Sequence, residues 1–181
     1  MKILPERVFY LVLMLFIITG CSGDRGPVGP EGPPGPEILP ISFEFEADLL
    51  IDNDFEFFSP IPDEIEVFDS DVMLAFVLED FIEEDDLEVW RQLPITDFNN
   101  RGTRIFTFDF TLIDIRIFLD ANYILDENDE FFGVLIRAVH VPADFIQGRA
   151  MSAAVESAGT LKELQDILGT EIKQLPQFKG E

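Results

Sequence analysis

The sequence predicts a mainly β fold, an antiparallel β-sandwich of the immunoglobulin-like or a similar kind, and three observations support this prediction. Several segments alternate apolar and polar residues with a period of two, which is typical of strands that have one buried face. Clusters of Asp, Asn, Pro and Gly separate these segments at short intervals. Helical periodicity does not alternate with the strand-like segments, and this disfavours the parallel α/β folds.

Composition sets limits on the class of protein. A chain of 181 residues with 47% hydrophobic side chains can bury one core, so we expect one folded domain with appendages. Its 36 acidic residues outnumber 12 basic ones, and the formal charge of -24 repels the phosphates of nucleic acids. The single Cys excludes an internal disulfide, and the single His excludes a multi-histidine metal centre.

Six segments after Pro40 carry strand patterns. Four of them alternate apolar and polar residues, which predicts strands with one buried face. The continuous apolar run over residues 72–78 instead predicts a central strand that is covered on both faces. With polar turns between the segments, we expect about six to eight strands. The segments lie at residues 42–49, 65–67, 72–78, 106–110, 113–119 and 131–141.

The last part of the chain predicts a short C-terminal helix. Thr160 is a suitable N-cap with Glu163 three residues later, and Gly169 is a suitable end. We expect the apolar face of this helix to pack on the sandwich, with an oligomer contact or a partner groove as the alternative. Residues 144–159 are consistent with either a flexible or a helical connection. The apolar face consists of Leu161, Leu164, Ile167 and Leu168.

The first 20 residues have the features of a secretory signal peptide. Lys2 and Arg7 give a basic start, and the apolar run over residues 8–18 is shorter than the ~20 residues that span a bilayer. Residues 18–21, Ile-Thr-Gly-Cys, resemble the lipobox of bacterial lipoproteins. This resemblance implies cleavage before Cys21 and acyl chains on its thiol and on the new N-terminus. Two or three acyl chains would anchor the protein durably to a membrane, and a buried anchor helix with a free thiol is the alternative.

Five consecutive Gly-X-Y triplets follow the lipobox and resemble the collagen repeat. Glycine at every third residue fits the axis of a three-chain helix, and proline favours the same backbone conformation in a single chain. A homotrimer wound through its stalks and a monomer with a stiff spacer of about 45 Å both fit this pattern. We favour the spacer, because so few triplets bury little surface. The glycines are Gly23, Gly26, Gly29, Gly32 and Gly35.

The patterns divide the chain into four parts. Their order along the sequence predicts a folded domain that a stalk tethers to a lipid anchor. The parts are a lipoprotein signal peptide at residues 1–20, the lipidated Cys and collagen-like stalk at 21–37, an antiparallel β domain at 38–145, and a C-terminal tail at 146–181 with a helix near 160–168.

The lipobox, the triplets and three stretches of the domain together resemble a group of small collagen-like lipoproteins of Bacteroidota-type bacteria. The resemblance covers about residues 18–145 and implies a β domain held in the cell envelope by its lipid, with no established activity. We expect the outer membrane to be the membrane in question. The three stretches are residues 87–94, 108–120 and 139–144.

Acidic clusters in the predicted loops are the candidates for a metal site. Loops at one end of a sandwich could converge to supply the oxygen ligands that Ca²⁺ prefers. No cluster matches the twelve-residue calcium loop, so a solvated acidic surface is the simpler interpretation and calcium the alternative. We predict no cofactor. The clusters lie at residues 52–54, 69–71, 83–86 and 126–130.

The remaining candidates give weak signals for chemistry. His140 lies in a predicted strand, which is more typical of a structural imidazole than of a catalytic base. Trp90 could stack on a glycan but more typically closes the edge of a core. Acid pairs of the glycosidase kind carry no information in so acidic a chain. We therefore expect an envelope protein with a structural or interaction role and no enzymatic activity, whose partner is an unidentified protein or glycan; a calcium- or glycan-binding surface module is the alternative.

Overall fold

The computed structural model describes residues 39–146 and 148–176, so the expected signal peptide, Cys21 and the stalk lie outside the described residues. The described part is mainly β, with two α-helices after the eighth strand. The strands are β1 (Ile41–Leu49), β2 (Glu56–Pro60), β3 (Val72–Ile82), β4 (Leu87–Gln92), β5 (Ile95–Phe98), β6 (Thr103–Phe110), β7 (Asp114–Ala121), β8 (Phe131–Val141) and β9 (Lys173–Gln174), and the helices are α1 (Arg149–Glu156) and α2 (Leu161–Leu168).

The strands form two sheets that face each other. The five-stranded sheet has the order β4-β3-β8-β1-β9, and the four-stranded sheet has the order β2-β7-β6-β5. Neighbouring strands are antiparallel except for β9, which runs parallel to β1. The predicted mainly β, two-sheet, sandwich-like architecture is therefore confirmed.

The core between the two sheets follows from the period-two pattern of β1. Phe43, Phe45, Ala47 and Leu49 all lie on its inner face and are at most 2% exposed. The inner face of β7 meets them with two isoleucines of the same cluster. Alternation in the sequence thus becomes one buried and one outer face, as a pleated strand requires.

Strand β3 is buried on both faces, as its continuous apolar run predicts. Met73, Ala75 and Val77 belong to the core between the sheets. Leu74 and Phe76 point the other way and pack in a second core beneath the helices. The strand lies between β4 and β8 in its sheet, so its ladder is also paired on both sides.

Helix α2 forms where its sequence pattern predicts it and covers the outer face of the five-stranded sheet. The Thr160 hydroxyl accepts a hydrogen bond from the Glu163 N–H at 3.2 Å, and Gly169 ends the helix with a φ of 66°. Leu164 and Leu168 are buried in the second core, so the apolar face packs on the sandwich as expected. The preceding connection is helical, because residues 149–156 form α1 and bury Val155 there.

The predicted strand segments differ from the structure in one false strand and in four strands that they miss. Residues 65–67 do not form a strand but a loop, in which Ile65 and Val67 are nevertheless buried. Pro60 and Pro62 remove backbone donors just before this segment, which disfavours a ladder there. The predicted segments do not include the four edge strands β2, β4, β5 and β9. Strand β9 has only two residues, which carry no period of their own. Among the described helices, none has the length and apolar character needed to span a membrane.

Candidate functional site

A groove of about 610 Å³ lies between the β3–β4 hairpin and α2, and we call it the hairpin groove. The hairpin supplies one wall and the first turn of α2 supplies the other. A β-bulge between Leu78 and Asp80 shifts the register of β3 against β4 at this point. The lining side chains include Phe81, Ile82, Leu87, Trp90, Arg137 and Leu161.

The floor of the hairpin groove is a charged cluster built by strand register. Strand β8 places Arg137 directly opposite Glu44 of β1, and the Arg137 Nε donates to Glu44 Oε1 at 2.6 Å. Its Nη2 donates to Glu88 Oε2 at 3.1 Å, and Trp90 Nε1 donates to the same oxygen at 2.8 Å. Arg137 and Glu44 are buried, Glu88 is 45% exposed, and each of these three charged groups has a partner in the cluster.

Trp90 packs as part of the second core rather than as an open platform. Its side chain belongs to that core and is only 8% exposed. The Arg137 guanidinium lies 3.9 Å from the centre of the indole ring, a cation–π distance. One ring face is therefore occupied by Arg137 and not available for stacking on a glycan.

The rim of the hairpin groove combines exposed apolar side chains with carboxylates. Phe81, Ile82 and Leu87 are 45%, 41% and 53% exposed. The connecting turn, residues 83–86, consists of acidic residues only, and Asp86 adopts a left-handed conformation with a φ of 55°. An exposed apolar patch rimmed by charge is typical of an interaction surface.

One acidic cluster is partly buried, contrary to the solvated surface that we expected for it. Asp129 is only 1% exposed; its Oδ1 accepts from Arg101 Nη2 at 2.5 Å, from Arg104 Nη1 at 3.2 Å and from Tyr123 OH at 3.1 Å. Burial acts to raise the pKa of Asp129, but the hydrogen bonds from the Asp126 N–H, Tyr123 and Arg101 outweigh it and hold the pKa below its usual value of 3.8. Arg101 and Arg104 thus neutralise the buried carboxylate of Asp129.

Asp71, from a second acidic cluster, is likewise buried and binds His140. The His140 Nε2 lies 2.8 Å from Asp71 Oδ2, while the backbone N–H groups of Phe68 and Ala143 donate to the same carboxylate at 3.0 and 2.9 Å. The other ring nitrogen, Nδ1, is buried and has no hydrogen-bond partner among the described residues. The imidazole thus joins the loop before β3 to the end of β8, which agrees with a structural role.

The Asp71 contacts predict acid-sensitive stability. Burial acts to raise the pKa of Asp71, but the His140 and backbone hydrogen bonds outweigh it and lower the pKa below 3.8. The Asp71 carboxylate is therefore protonated at a higher pH in the unfolded chain than in the folded chain. The stability that its contacts contribute is present above pH 3.8 and is lost as the pH falls further. Urea denaturation between neutral pH and pH 3 should show a shallower decline for Asp71→Asn than for the unsubstituted chain, whereas exposed Asp69→Asn should leave the slope unchanged.

The acidic clusters do not converge on one site. Residues 52–54 and 126–130 lie at the same end of the sandwich, where the Ile51 N–H donates to Glu130 Oε1 at 3.0 Å. The Asp71 cluster lies at the opposite end, before β3 begins. Residues 83–86 form the tip of the β3–β4 hairpin at the same end as the first two clusters, but on a different pair of strands. Within the two described ranges, no group of three or more His, Cys, Asp or Glu side chains is placed to hold a metal ion.

The residues expected to carry the lipid and the stalk lie outside the part of the chain that is described, so their assignment stays a prediction. The charged floor around Arg137 was not found from the sequence, because the pairing of Glu44 with Arg137 depends on the register of β1 against β8. No family model, no curated protein and no solved structure matches this chain. A functional proposal therefore depends on the residues and geometry of the chain itself.

Proposed function

We propose that this chain is a lipid-anchored cell-envelope protein, acylated at Cys21, that displays an acidic β-sandwich on a collagen-like spacer and has a structural or interaction role. The lipobox at residues 18–21, followed at once by the Gly-X-Y triplets of residues 23–37, is the observation on which this proposal depends. The proposal also places the protein among the collagen-like lipoproteins that it resembles, and it gives the outer membrane as the location. The stalk acts as a single-chain spacer.

The way the chain joins the sandwich supports a tethered domain. Residue 40 leads directly into β1, which lies between β8 and β9 and pairs with β8 along nearly its whole length. The Lys173 N–H donates to the Pro40 carbonyl at 2.9 Å, and the Leu175 N–H donates to the Ser42 carbonyl at 2.8 Å. A pull on residue 40 would therefore act on a strand bonded on both sides instead of on a free edge.

The distribution of charge supports a domain held away from the lipid. Six basic side chains of the described part form ion pairs, which leaves a large excess of carboxylates unpaired. Such a surface is repelled by anionic headgroups, so a spacer lets it face the surroundings. The paired cations are Arg91, Arg101, Arg104, Arg116, Arg137 and Lys162.

Strand order bears on the finer class of the sandwich. In an immunoglobulin constant-type sandwich the first strand is the neighbour of the second. Here β1 lies between β8 and β9, and β2 lies in the other sheet beside β7. Of the two kinds of sandwich that the sequence predicts, immunoglobulin-like or similar, this strand order favours a similar sandwich with different connections.

Replacing Cys21 by Ala is expected to abolish acylation and to release the protein from the membrane fraction. Without the thiol there is no site for the diacylglycerol, and the remaining apolar run is too short to span a bilayer. The measurement is membrane fractionation of cells that express the full chain, together with mass spectrometry of the N-terminal peptide. The neighbouring change Ser22→Ala serves as the control and should stay acylated. A Cys21→Ala product that matures at the same bond and stays in the membrane fraction contradicts the proposal.

A further inference from the structure

We propose that the free edge of β4 and the adjoining hairpin groove bind an extended basic segment of a partner protein, in which Lys or Arg alternates with apolar residues. This inference rests on the interaction role proposed above and names the surface and the chemistry of the partner. Three features of the described residues support it: an open strand edge, an apolar wall and a concentration of unpaired carboxylates.

The open edge is that of β4, the last strand of the five-stranded sheet. No strand of the described ranges pairs with its outer side. Two recesses follow this edge in turn: the hairpin groove is lined by residues 87–90, and a second recess of about 340 Å³ is lined by residues 91–94. Unpaired N–H and C=O groups on an edge strand can accept an added strand, and a recess beside them can hold its side chains.

The apolar wall is supplied by the hairpin itself. Phe81, Ile82 and Leu87 line the hairpin groove and are each about half exposed, although the sandwich offers these residues no core. Leu161 of α2 faces them from the other side. Ile82 and Leu87 are cross-strand partners and share one face of the hairpin, so alternate apolar side chains on one face of an added strand would cover these two residues.

The charge of the hairpin selects the class of partner. Residues 79–88 hold seven carboxylates, and two of these have cationic partners: Glu79 binds Arg91 and Glu88 binds Arg137, at 2.9 and 3.1 Å. The other five have no ion-pair partner in the described part of the chain. Nucleic acids, anionic lipids and a second copy of this acidic chain are repelled, whereas Lys or Arg side chains are attracted. The five are Asp80, Glu83, Glu84, Asp85 and Asp86.

The test uses a fluorescent synthetic peptide in which Lys alternates with Val. Fluorescence anisotropy at low salt measures how tightly this peptide binds the full chain in detergent. A variant in which all four carboxylates of the hairpin turn are replaced by amides should bind the peptide about tenfold more weakly, because four exposed charge contacts are lost. A matched variant that removes four exposed carboxylates elsewhere should bind like the unsubstituted chain. The test variant is Glu83→Gln with Glu84→Gln, Asp85→Asn and Asp86→Asn; the control is Asp54→Asn with Asp63→Asn, Glu64→Gln and Glu66→Gln.

The two variants are matched in more than charge. Each changes two Asp and two Glu residues, all of them exposed, and each includes one Asp in the left-handed conformation, Asp86 or Asp54, where Asn is well tolerated. A second arm uses the same peptide with alternate backbone nitrogens methylated, which removes strand hydrogen bonds without changing the protein. We expect this peptide also to bind at least about tenfold more weakly.

Each outcome decides one point. Equal binding to the test and control variants overturns the proposal, as does undiminished binding of the methylated peptide or no binding of any peptide to the unsubstituted chain. Loss of binding in the test variant and the methylated peptide alone supports it. Fractionation of the same test variant separates the two proposals: if it stays acylated at Cys21 and binding fails, only the partner inference is wrong. If anchoring fails while the peptide binds, only the proposed anchoring is wrong.

Discussion

Asp129→Ala is expected to lower the free energy of unfolding by about 3–5 kcal/mol, because it removes one partner of a buried ion-pair network and leaves the others. The Asp129 carboxylate accepts hydrogen bonds from two arginines, a tyrosine and a backbone N–H, and it is almost fully buried. Arg104, whose side chain is 16% exposed, would lose its most buried partner. Urea denaturation at neutral pH, followed by circular dichroism, gives the change in free energy.

The control for this prediction is Glu127→Ala, at the first residue of the short 3-10 helix Glu127–Asp129 that contains Asp129. Glu127 is exposed and makes no ion pair among the described residues, so its loss should change stability by less than about 0.5 kcal/mol. The variant Asp129→Asn keeps the shape of the side chain but removes its charge, and it should also be strongly destabilising. If Asp129→Ala and Glu127→Ala unfold at the same urea concentration, the network has no structural role.

Phe76→Ala is expected to cost about 3–5 kcal/mol, since it leaves a large cavity in the second core. Phe76 is fully buried on the face of β3 that meets the helices, with Trp90, Val139 and Leu164 in the same cluster. The loss should also loosen α2, which is held to the sheet mainly through this cluster. Urea denaturation measures the overall cost, and hydrogen exchange of the α2 amides reports whether the helix opens more often.

A matched control is Phe98→Ala in β5, where the same chemical change is made on the surface. Phe98 is 82% exposed and should change stability by less than about 0.5 kcal/mol. Comparable losses from the two substitutions would mean that the helices do not cover β3 as described. A loss confined to Phe76→Ala, with faster exchange in α2, would show that the second core holds the helix to the sheet.

Most of the strands could be predicted because their burial repeats along the chain. The alternation over residues 42–49 and the run over 72–78 correspond to β1 and β3, and the run that ends at Pro142 corresponds to β8. The four edge strands, β2, β4, β5 and β9, were not predicted. Of these, β5 has four residues and β9 has two, too few for a period to be seen. Residues 65–67 show the opposite error, since alternate side chains are buried there in a loop.

The candidate site was less predictable than the fold. Trp90 and the acidic turn at residues 83–86 were found as single features, yet nothing in their spacing indicates the groove between them and α2. The groove requires a β-bulge, a β3 strand that continues beyond its pairing with β8, and a helix that packs beside the hairpin. Asp71 and Asp129 resemble surface acids in the sequence because their partners, His140 and Arg104, are distant along the chain.

The sequence by itself determined the periodic elements, the capped helix α2, the excess of negative charge and the predictions for Cys21 and the stalk, because each of these is local or a property of composition. The tertiary structure alone decided which carboxylates are buried, which strand edge stays open and where apolar side chains meet unpaired acids. These depend on strand register and sheet order, which pair residues far apart in the chain. Burial of a charge is a property of the surrounding fold, since it requires neighbours that exclude water and donate hydrogen bonds.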